Sequence, residues 1–400
     1  MTGDSAMAKL ELLIHNKNGN TDAHVFTKEQ AQSVARFHRT IPGYSPTPLV
    51  ALSNLASSLN VGAFYVKDES KRFDLNAFKV LGGSYCACQV LAEKLQGELD
   101  QMSFKDFLLY KQALGDVTFV TATDGNHGRG IAWTANKLRQ KAVVYMPSGS
   151  SQERLENIRA LGADADIVPY NYDGAVALAA KHAEEFGWTF VQDTAWEGYE
   201  KIPTWIMQGY MTMGLEAVQQ LGDVRPTHIF LQAGVGAMAG ALAAFFSDYY
   251  RDDPPVITIV EPNIADCVFR TAQTGRLQTI EGDLPTIMAG LACGTPCSVG
   301  WEMLDRFASA FVRMDDCVAA KGMRVLGAPM GSDPRVIAGE SGAAGVGCAV
   351  EILQNEKFAE YKQSLGLNEN SRILCISTEG DTDRAMYQKI VHEGLYPCFD

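Results

Sequence analysis

Along most of the chain, short runs of apolar and β-branched residues alternate with longer stretches whose apolar positions return every three or four residues. The first pattern is that of strands and the second that of helices buried on one face. Residues 117–121 read as a strand and 126–141 as the helix after it. Residues 142–146 are the next strand, stopped by Pro147. A helix over 152–161 ends at Gly162, and 166–168 form a short strand. An Ala-rich helix over 173–186 stops at Gly187, ahead of a strand over 188–191. These units read as one compact domain.

The second half repeats the theme. Residues 203–221 read as a long helix, with Ile206, Met207, Tyr210, Met213 and Leu215 at mostly helical spacing. A strand over 228–231 runs into a glycine loop, and 256–260 and 373–376 are further strands, the last followed by a helix over 383–391. Residues 285–334 are rich in Gly, Pro and Cys and read as irregular, a lid or an oligomer contact. Strands alternating with helices predict an α/β fold built on open twisted parallel sheets with helices on both faces.

Composition narrows the class. At 400 residues, 46% hydrophobic and 20% charged, the chain suits two globular domains or one large α/β unit. Lys and Arg number 34 against 47 Asp and Glu, a formal charge of −13, so neither nucleic acid nor an anionic membrane is an expected partner. The apolar stretch around Leu10 is broken by Glu11, and no run reaches the length of a membrane span; the expected compartment is the cytoplasm. Nine cysteines show no Cys-x-x-Cys pair and the histidines are scattered, so reduced thiols and no metal site are expected. Cys267 and Cys293 are the pair to test for a disulfide.

Four segments could carry chemistry. Gln232-Ala233-Gly234-Val235-Gly236-Ala237-Met238-Ala239-Gly240 follows a strand and opens a helix. Its glycines let backbone approach a phosphate, and the helix start offers unpaired N–H groups and a positive dipole end. Close packing at a strand–helix turn would use the same glycines. Glu261, ending the next strand, stands where a ribose-binding acid would in a dinucleotide site. In Asn76-Ala77-Phe78-Lys79-Val80-Leu81-Gly82-Gly83, a lysine sits between apolar neighbours. It is either a snorkelling surface residue or a desolvated amine fit to form a Schiff base. Thr121-Ala122-Thr123-Asp124-Gly125-Asn126-His127-Gly128 and Ser377-Thr378-Glu379-Gly380-Asp381 each end a strand, where open α/β sheets bind ligands and where helix caps also stand.

The order of these segments, with Thr47-Pro48-Leu49, Lys67-Asp68-Glu69 and Val260-Glu261-Pro262, resembles the fold-type II pyridoxal-phosphate enzymes, the tryptophan synthase β, threonine deaminase and serine dehydratase group. The resemblance spans roughly residues 40–395. Three motifs depart from the family pattern: Ala77 replaces its Ser, and Val80-Leu81 stand where it has x-Arg. Thr123-Asp124 replaces Ser-Ser, and Thr378-Glu379-Gly380-Asp381 replaces Gly-Gly-Asn. With residues 192–199, these variants resemble the branch that eliminates ammonia from 2,3-diaminopropionate.

The resemblance implies pyridoxal 5'-phosphate as cofactor, attached to Lys79. It places the phosphate on Gly234, Val235, Gly236, Ala237, Met238 and Gly240, and Asn126 beside the ring oxygen. A hydroxyl, Ser377 or next Thr378, faces the ring nitrogen; a neutral hydroxyl limits the electron sink and suits β-elimination more than transamination. Asp124 and Asp193 are carboxylates for a substrate with a second ammonium. A like charge at ~4 Å costs about 4 kcal/mol at an effective dielectric of 20, so Asp124 disfavours serine or threonine unless offset. Lys79 and Asp124 on opposite faces would serve the L- and D-isomers. Other fold-type II eliminases, such as threonine or serine ammonia-lyases, a nicotinamide oxidoreductase and a non-catalytic metabolite binder stay open. The expected architecture is a large cofactor domain, 1–84 with 193–400, and a smaller inserted domain, 85–192, with the site between them in a homodimer.

Overall fold

The computed structural model describes residues 8–123 and 125–398. Its strands are β1 (Leu10–Ile14), β2 (Leu49–Ala51), β3 (Ala63–Asp68), β4 (Thr118–Ala122), β5 (Lys141–Met146), β6 (Asp164–Ile167), β7 (Thr189–Phe190), β8 (His228–Gln232), β9 (Val256–Pro262), β10 (Ala310–Met314) and β11 (Arg372–Ser377). They form a seven-stranded sheet, β1-β10-β9-β8-β11-β3-β2, and a four-stranded sheet, β6-β5-β4-β7. Pairing is parallel throughout the smaller sheet and from β10 to β3 in the larger. The edge strands β1 and β2 are antiparallel, a departure from the all-parallel expectation.

Successive residues of the central strands pack into opposite cores. Ile229 and Leu231 lie in one apolar cluster of the large sheet, with Leu374 and Ile376. Phe230, Ile373 and Cys375 lie in the other. This is the two-faced burial of a sheet covered by helices on both sides.

Two segments differ from the expectation. Residues 285–334 hold a helix (Ser298–Phe307), then β10, then a second helix (Asp316–Gly327). The first helix is started by Cys297, whose Sγ accepts from the Gly300 N–H at 3.4 Å, and buries Met303, Leu304 and Phe307. The Gly and Pro residues are concentrated at the two flanks of this unit. Residues 10–14 form an edge strand despite Glu11. Glu11 sits opposite Arg313 in the register, and its Oε2 accepts from Arg313 Nε at 2.9 Å. An opposite-charge cross-strand pair supports the edge it would otherwise interrupt.

Lys79 stands at the head of the helix Val80–Lys94, which is buried on nearly every side. It crosses the helix Lys201–Leu221 where two glycines meet. A Cβ on Gly82 would fall 2.7 Å from the Ile206 carbonyl, and one on Gly209 would fall 2.5 Å from the Leu81 carbonyl. Beneath this crossing lies a buried ionic network. Arg72 donates to Glu69 Oε1 and to Glu216 Oε1, each at 2.8 Å, and Lys67 donates to Glu216 Oε2 at 2.7 Å. Two cations face two anions, so the burial of four charged groups leaves no net charge.

Candidate active site

Within the large sheet β8, β9 and β10 step away from the middle in one direction, and β11 and β3 in the other. Ligands bind at such a reversal, outside the carboxyl ends of the strands. The β8–β11 ladder runs only from His228 and Ile373 to Phe230 and Cys375. Beyond it the strands part around a cleft lined by Lys79, Asp193, Gln232, Thr378 and the loop 233–239, and pockets with a few convergent polar groups are where ligands bind. Thr123 and Asn126, just past the end of β4 in the smaller sheet, form its other wall.

Lys79 reaches this cleft and pairs with the Asp193 carboxylate. The segment carrying it is stitched to the end of β11, with the Phe78 N–H donating to the Thr378 carbonyl at 3.1 Å and Ala77 bridging to Glu379. Burial acts to raise the Asp193 carboxyl, but His127 and the Lys79 ammonium pull it down to about 2. Asp193 is therefore an anion throughout the neutral range. His127 Nδ1 lies 3.8 Å from it, the ring being held by an Nε2 hydrogen bond to the Val191 carbonyl at 2.9 Å. The Asn126 amide donates through Nδ2 to Glu379 Oε2 at 2.6 Å. Glu340, buried beside Glu379, is pushed up to about 7 by that burial and by the neighbouring carboxylate.

The loop 233–239 lines the cleft and enters the helix Ala237–Tyr249. Gly236 caps that helix at φ +85°, a left-handed conformation suited to glycine. The N–H groups of Ala237, Met238 and Ala239, residues that line the cleft, precede the first intrahelical bond, which runs from the Gly240 N–H to the Gly236 carbonyl. A Cβ on Gly234 would lie 3.0 Å from Cys293 Sγ and 3.1 Å from the Gly290 carbonyl, so the loop is seated closely on the segment after residue 288.

The site candidates do not all converge. Lys79, Asp193, Asn126, Gly234, Val235, Gly236, Ala237, Met238 and Thr378 line the cleft. Gly240 does not; it packs on the helix Ser298–Phe307, where a Cβ would fall 2.5 Å from the Gly300 carbonyl. Ser377 is buried outside the cleft wall, and its hydroxyl donates to the Glu379 carbonyl at 3.3 Å. Neighbouring strand residues point to opposite faces, and here the cleft receives Thr378. Asp124 lies outside the described residues. Glu261 is buried and accepts from the Val268 and Phe269 N–H groups at 2.9 and 2.6 Å. That makes it a helix cap, not a ribose-binding acid. All nine cysteines are thiols, Cys267 lying 3.6 Å from the Gly234 carbonyl and Cys293 on the cleft wall. Sequence reasoning passed over Gln232, Tyr172, Tyr210, Ser341 and Glu379, all of which line the cleft. Gln232 and Glu379 stand inside motifs already singled out; the other three carry no local signal.

Comparison with known proteins adds the family. Residues 40–379 match the profile of the family described as pyridoxal-phosphate dependent enzyme. The chain belongs to this family. It is 50% identical over 382 residues to diaminopropionate ammonia-lyase of Escherichia coli (strain K12), covering 95% of each chain. Its fold is similar to that of the Escherichia coli enzyme in complex with an aminoacrylate-PLP azomethine reaction intermediate (TM-score 0.91, 47% identity, 98% of this chain and 99% of that one). It is similar also to the same enzyme in complex with D-serine (TM-score 0.93, 47% identity, 99% and 100%).

The donor set of the cleft fits the family's cofactor, pyridoxal phosphate. A glycine-capped helix start suits a phosphate dianion, the Lys79 amine suits an aldehyde carbon, the Asn126 amide suits a phenolic oxygen, and the Thr378 hydroxyl suits a ring nitrogen.

Proposed function

We propose that this chain is a pyridoxal-phosphate-dependent ammonia-lyase that converts 2,3-diaminopropionate and water to pyruvate and two molecules of ammonia. The observation that carries the reading is the convergence of the Lys79 amine, the glycine-capped helix start and the Thr378 hydroxyl on one cleft, in a chain half identical to a diaminopropionate ammonia-lyase. When bound, the cofactor supplies an electron sink for negative charge at the substrate's α-carbon.

The chain's own groups do the rest. Lys79 would hold the cofactor through its amine and, when that amine is free, would act on the α-proton of the L-isomer. Asp193 holds the Lys79 ammonium between these tasks and offers an anion to the substrate's second ammonium. The 233–239 backbone holds the phosphate. Asn126, oriented by Glu379, holds the ring oxygen, and Thr378, in preference to Ser377, serves the ring nitrogen. Asp124, from its place in the sequence, is assigned the α-proton of the D-isomer.

The test supplies the holoenzyme with each enantiomer and measures both products. Pyruvate with two equivalents of ammonia is expected from D- and L-diaminopropionate, and Asp124→Asn is expected to lower kcat/KM for the D-isomer further than for the L-isomer. Serine or threonine turned over as fast as diaminopropionate would refute the substrate, and equal losses for both isomers would reduce Asp124 to a binding role.

The proposal extends to assembly. The smaller sheet is drawn wholly from residues 85–192 and the larger from 1–84 and 193–400, which supports reading the chain as a large domain with a smaller one inserted. The helix Val80–Lys94 spans the first boundary. No helix of the described residues is long and apolar enough to cross a membrane. We place the enzyme in the cytoplasm as a homodimer; light scattering of the holoenzyme should return twice the chain mass, and a monomer would overturn the dimer.

A further inference from the structure

We infer that Gln232 is a positioning residue that fixes the direction of the Thr378 hydroxyl proton, so that Thr378 meets the cofactor's ring nitrogen as a hydrogen-bond donor. The inference rests on the cleft being a pyridoxal-phosphate site. Gln232 is the last residue of β8, is 1% exposed and stands on the cleft wall. It lies just beyond the point where the β8–β11 ladder stops. There its side chain takes over the bridging that the backbone no longer makes. Nε2 lies 2.9 Å from the Ile376 carbonyl oxygen and 2.9 Å from Thr378 Oγ1.

These two distances settle the amide's orientation. A carbonyl oxygen only accepts, so the group facing Ile376 must be the NH₂. Its second hydrogen then points at Thr378 Oγ1, which becomes an acceptor toward Gln232. The hydroxyl's own proton must go elsewhere. Among the described residues nothing accepts it, and Thr378 borders the cleft.

The other end of the amide makes the point sharper. Gln232 Oε1 is buried with no hydrogen-bond partner among the described residues. A stranded acceptor is costly, and a leucine would fill the space without one. What the amide offers in exchange is its pair of N–H bonds, one of which sets the hydroxyl. A ring nitrogen that meets a donor stays unprotonated. This limits charge delocalisation and favours loss of the β-substituent over reprotonation.

The experiment reconstitutes wild type, Gln232→Leu and Gln232→Glu with pyridoxal phosphate labelled with ¹⁵N in the ring. It reads the nitrogen chemical shift and the cofactor dissociation constant. Wild type should show the downfield signal of an unprotonated pyridine. In Gln232→Glu a protonated carboxyl can still donate to the Ile376 carbonyl while its oxygen accepts from Thr378. The Thr378 proton then turns away from the cleft and its oxygen faces the ring nitrogen as an acceptor, which favours a protonated nitrogen, so the signal should move upfield. Gln232→Leu should retain cofactor ~10–100-fold less tightly, the scale on which losing an orienting hydrogen bond acts at other preorganised sites. A protonated nitrogen in wild type would overturn the inference. So would a signal unmoved in Gln232→Glu with retention unchanged in Gln232→Leu, even if both variants were less heat-stable, because a merely structural tie between β8 and β11 predicts that result. Wild type that takes up no cofactor would strike the reading of the cleft itself and this inference with it, whereas uptake with unmoved signals strikes Gln232 alone.

Discussion

Lys79→Ala should keep its fold and lose its turnover. The side chain leaves the head of a helix whose packing is made by other residues, from Val80 to Ala92, so circular dichroism should be unchanged. The cleft, however, loses its amine. Proton transfer by a positioned group is worth ~10²–10⁴-fold, and the attachment point for the aldehyde disappears as well, so activity on diaminopropionate should fall by at least that factor. The visible absorption of lysine-linked cofactor should vanish with it. Asp193 keeps His127 as a neighbour at 3.8 Å. A small primary amine added to the variant should restore part of the activity. Turnover within tenfold of wild type would remove Lys79 from the chemistry.

The second large effect is on stability. Arg72→Met should destabilise the protein by ~3–5 kcal/mol, the usual result of removing one partner from a buried charge network. Arg72 is 1% exposed, and its guanidinium serves Glu69 and Glu216 at once. Without it, one lysine faces two buried carboxylates. The pH dependence carries a definite sign. Burial acts to raise the Glu216 carboxyl, but Arg72 and Lys67 bring it down to about 2 from an ordinary 4.5. A depressed carboxyl contributes stability above pH 4.5 and loses it as the pH falls toward 2. Arg72→Met should therefore unfold at a higher pH on acidification, as well as at lower urea. Adding Glu216→Gln should recover part of the loss, because it removes the stranded charge. A single variant within 1 kcal/mol of wild type would show that the network does not brace the fold.

Much of the α/β alternation was legible because apolar strands such as β5 and β8 are bracketed by Pro147 and by the glycines after Gln232. What escaped was hidden by chemistry rather than by weakness of pattern. β10 and its flanking helices lie between Gly- and Pro-rich segments that gave the whole stretch an irregular look. β1 carries Glu11, which reads as a break until Arg313, some 300 residues on, is placed opposite it. The cleft shows the same division. Lys79 and the glycine loop carry local motifs, and the structure brings them to one cavity. The choice between Ser377 and Thr378 depends on which face of β11 meets that cavity, and Gly240 belongs to a helix crossing with Gly300 that no local pattern announces. Glu261 looked like a ligand because strand-end acids often are. The helix Cys267–Thr274, whose Val268 N–H it accepts from, begins only six residues on.

The place of β11 bears on how such a chain reaches its native state. It is the last strand in sequence, yet it lies between β8 and β3 in the interior of the seven-stranded sheet. Until residues 372–377 emerge from the ribosome, the inner edges of β8 and β3 have no neighbour, and the Thr378 side of the cleft does not exist. The four-stranded sheet, complete by residue 190, faces no such delay. Synthesis therefore delivers one folded unit early and holds two exposed strand edges open to the end, the kind of surface on which nascent chains aggregate. The ability to take up cofactor arrives only with the insertion of that final strand.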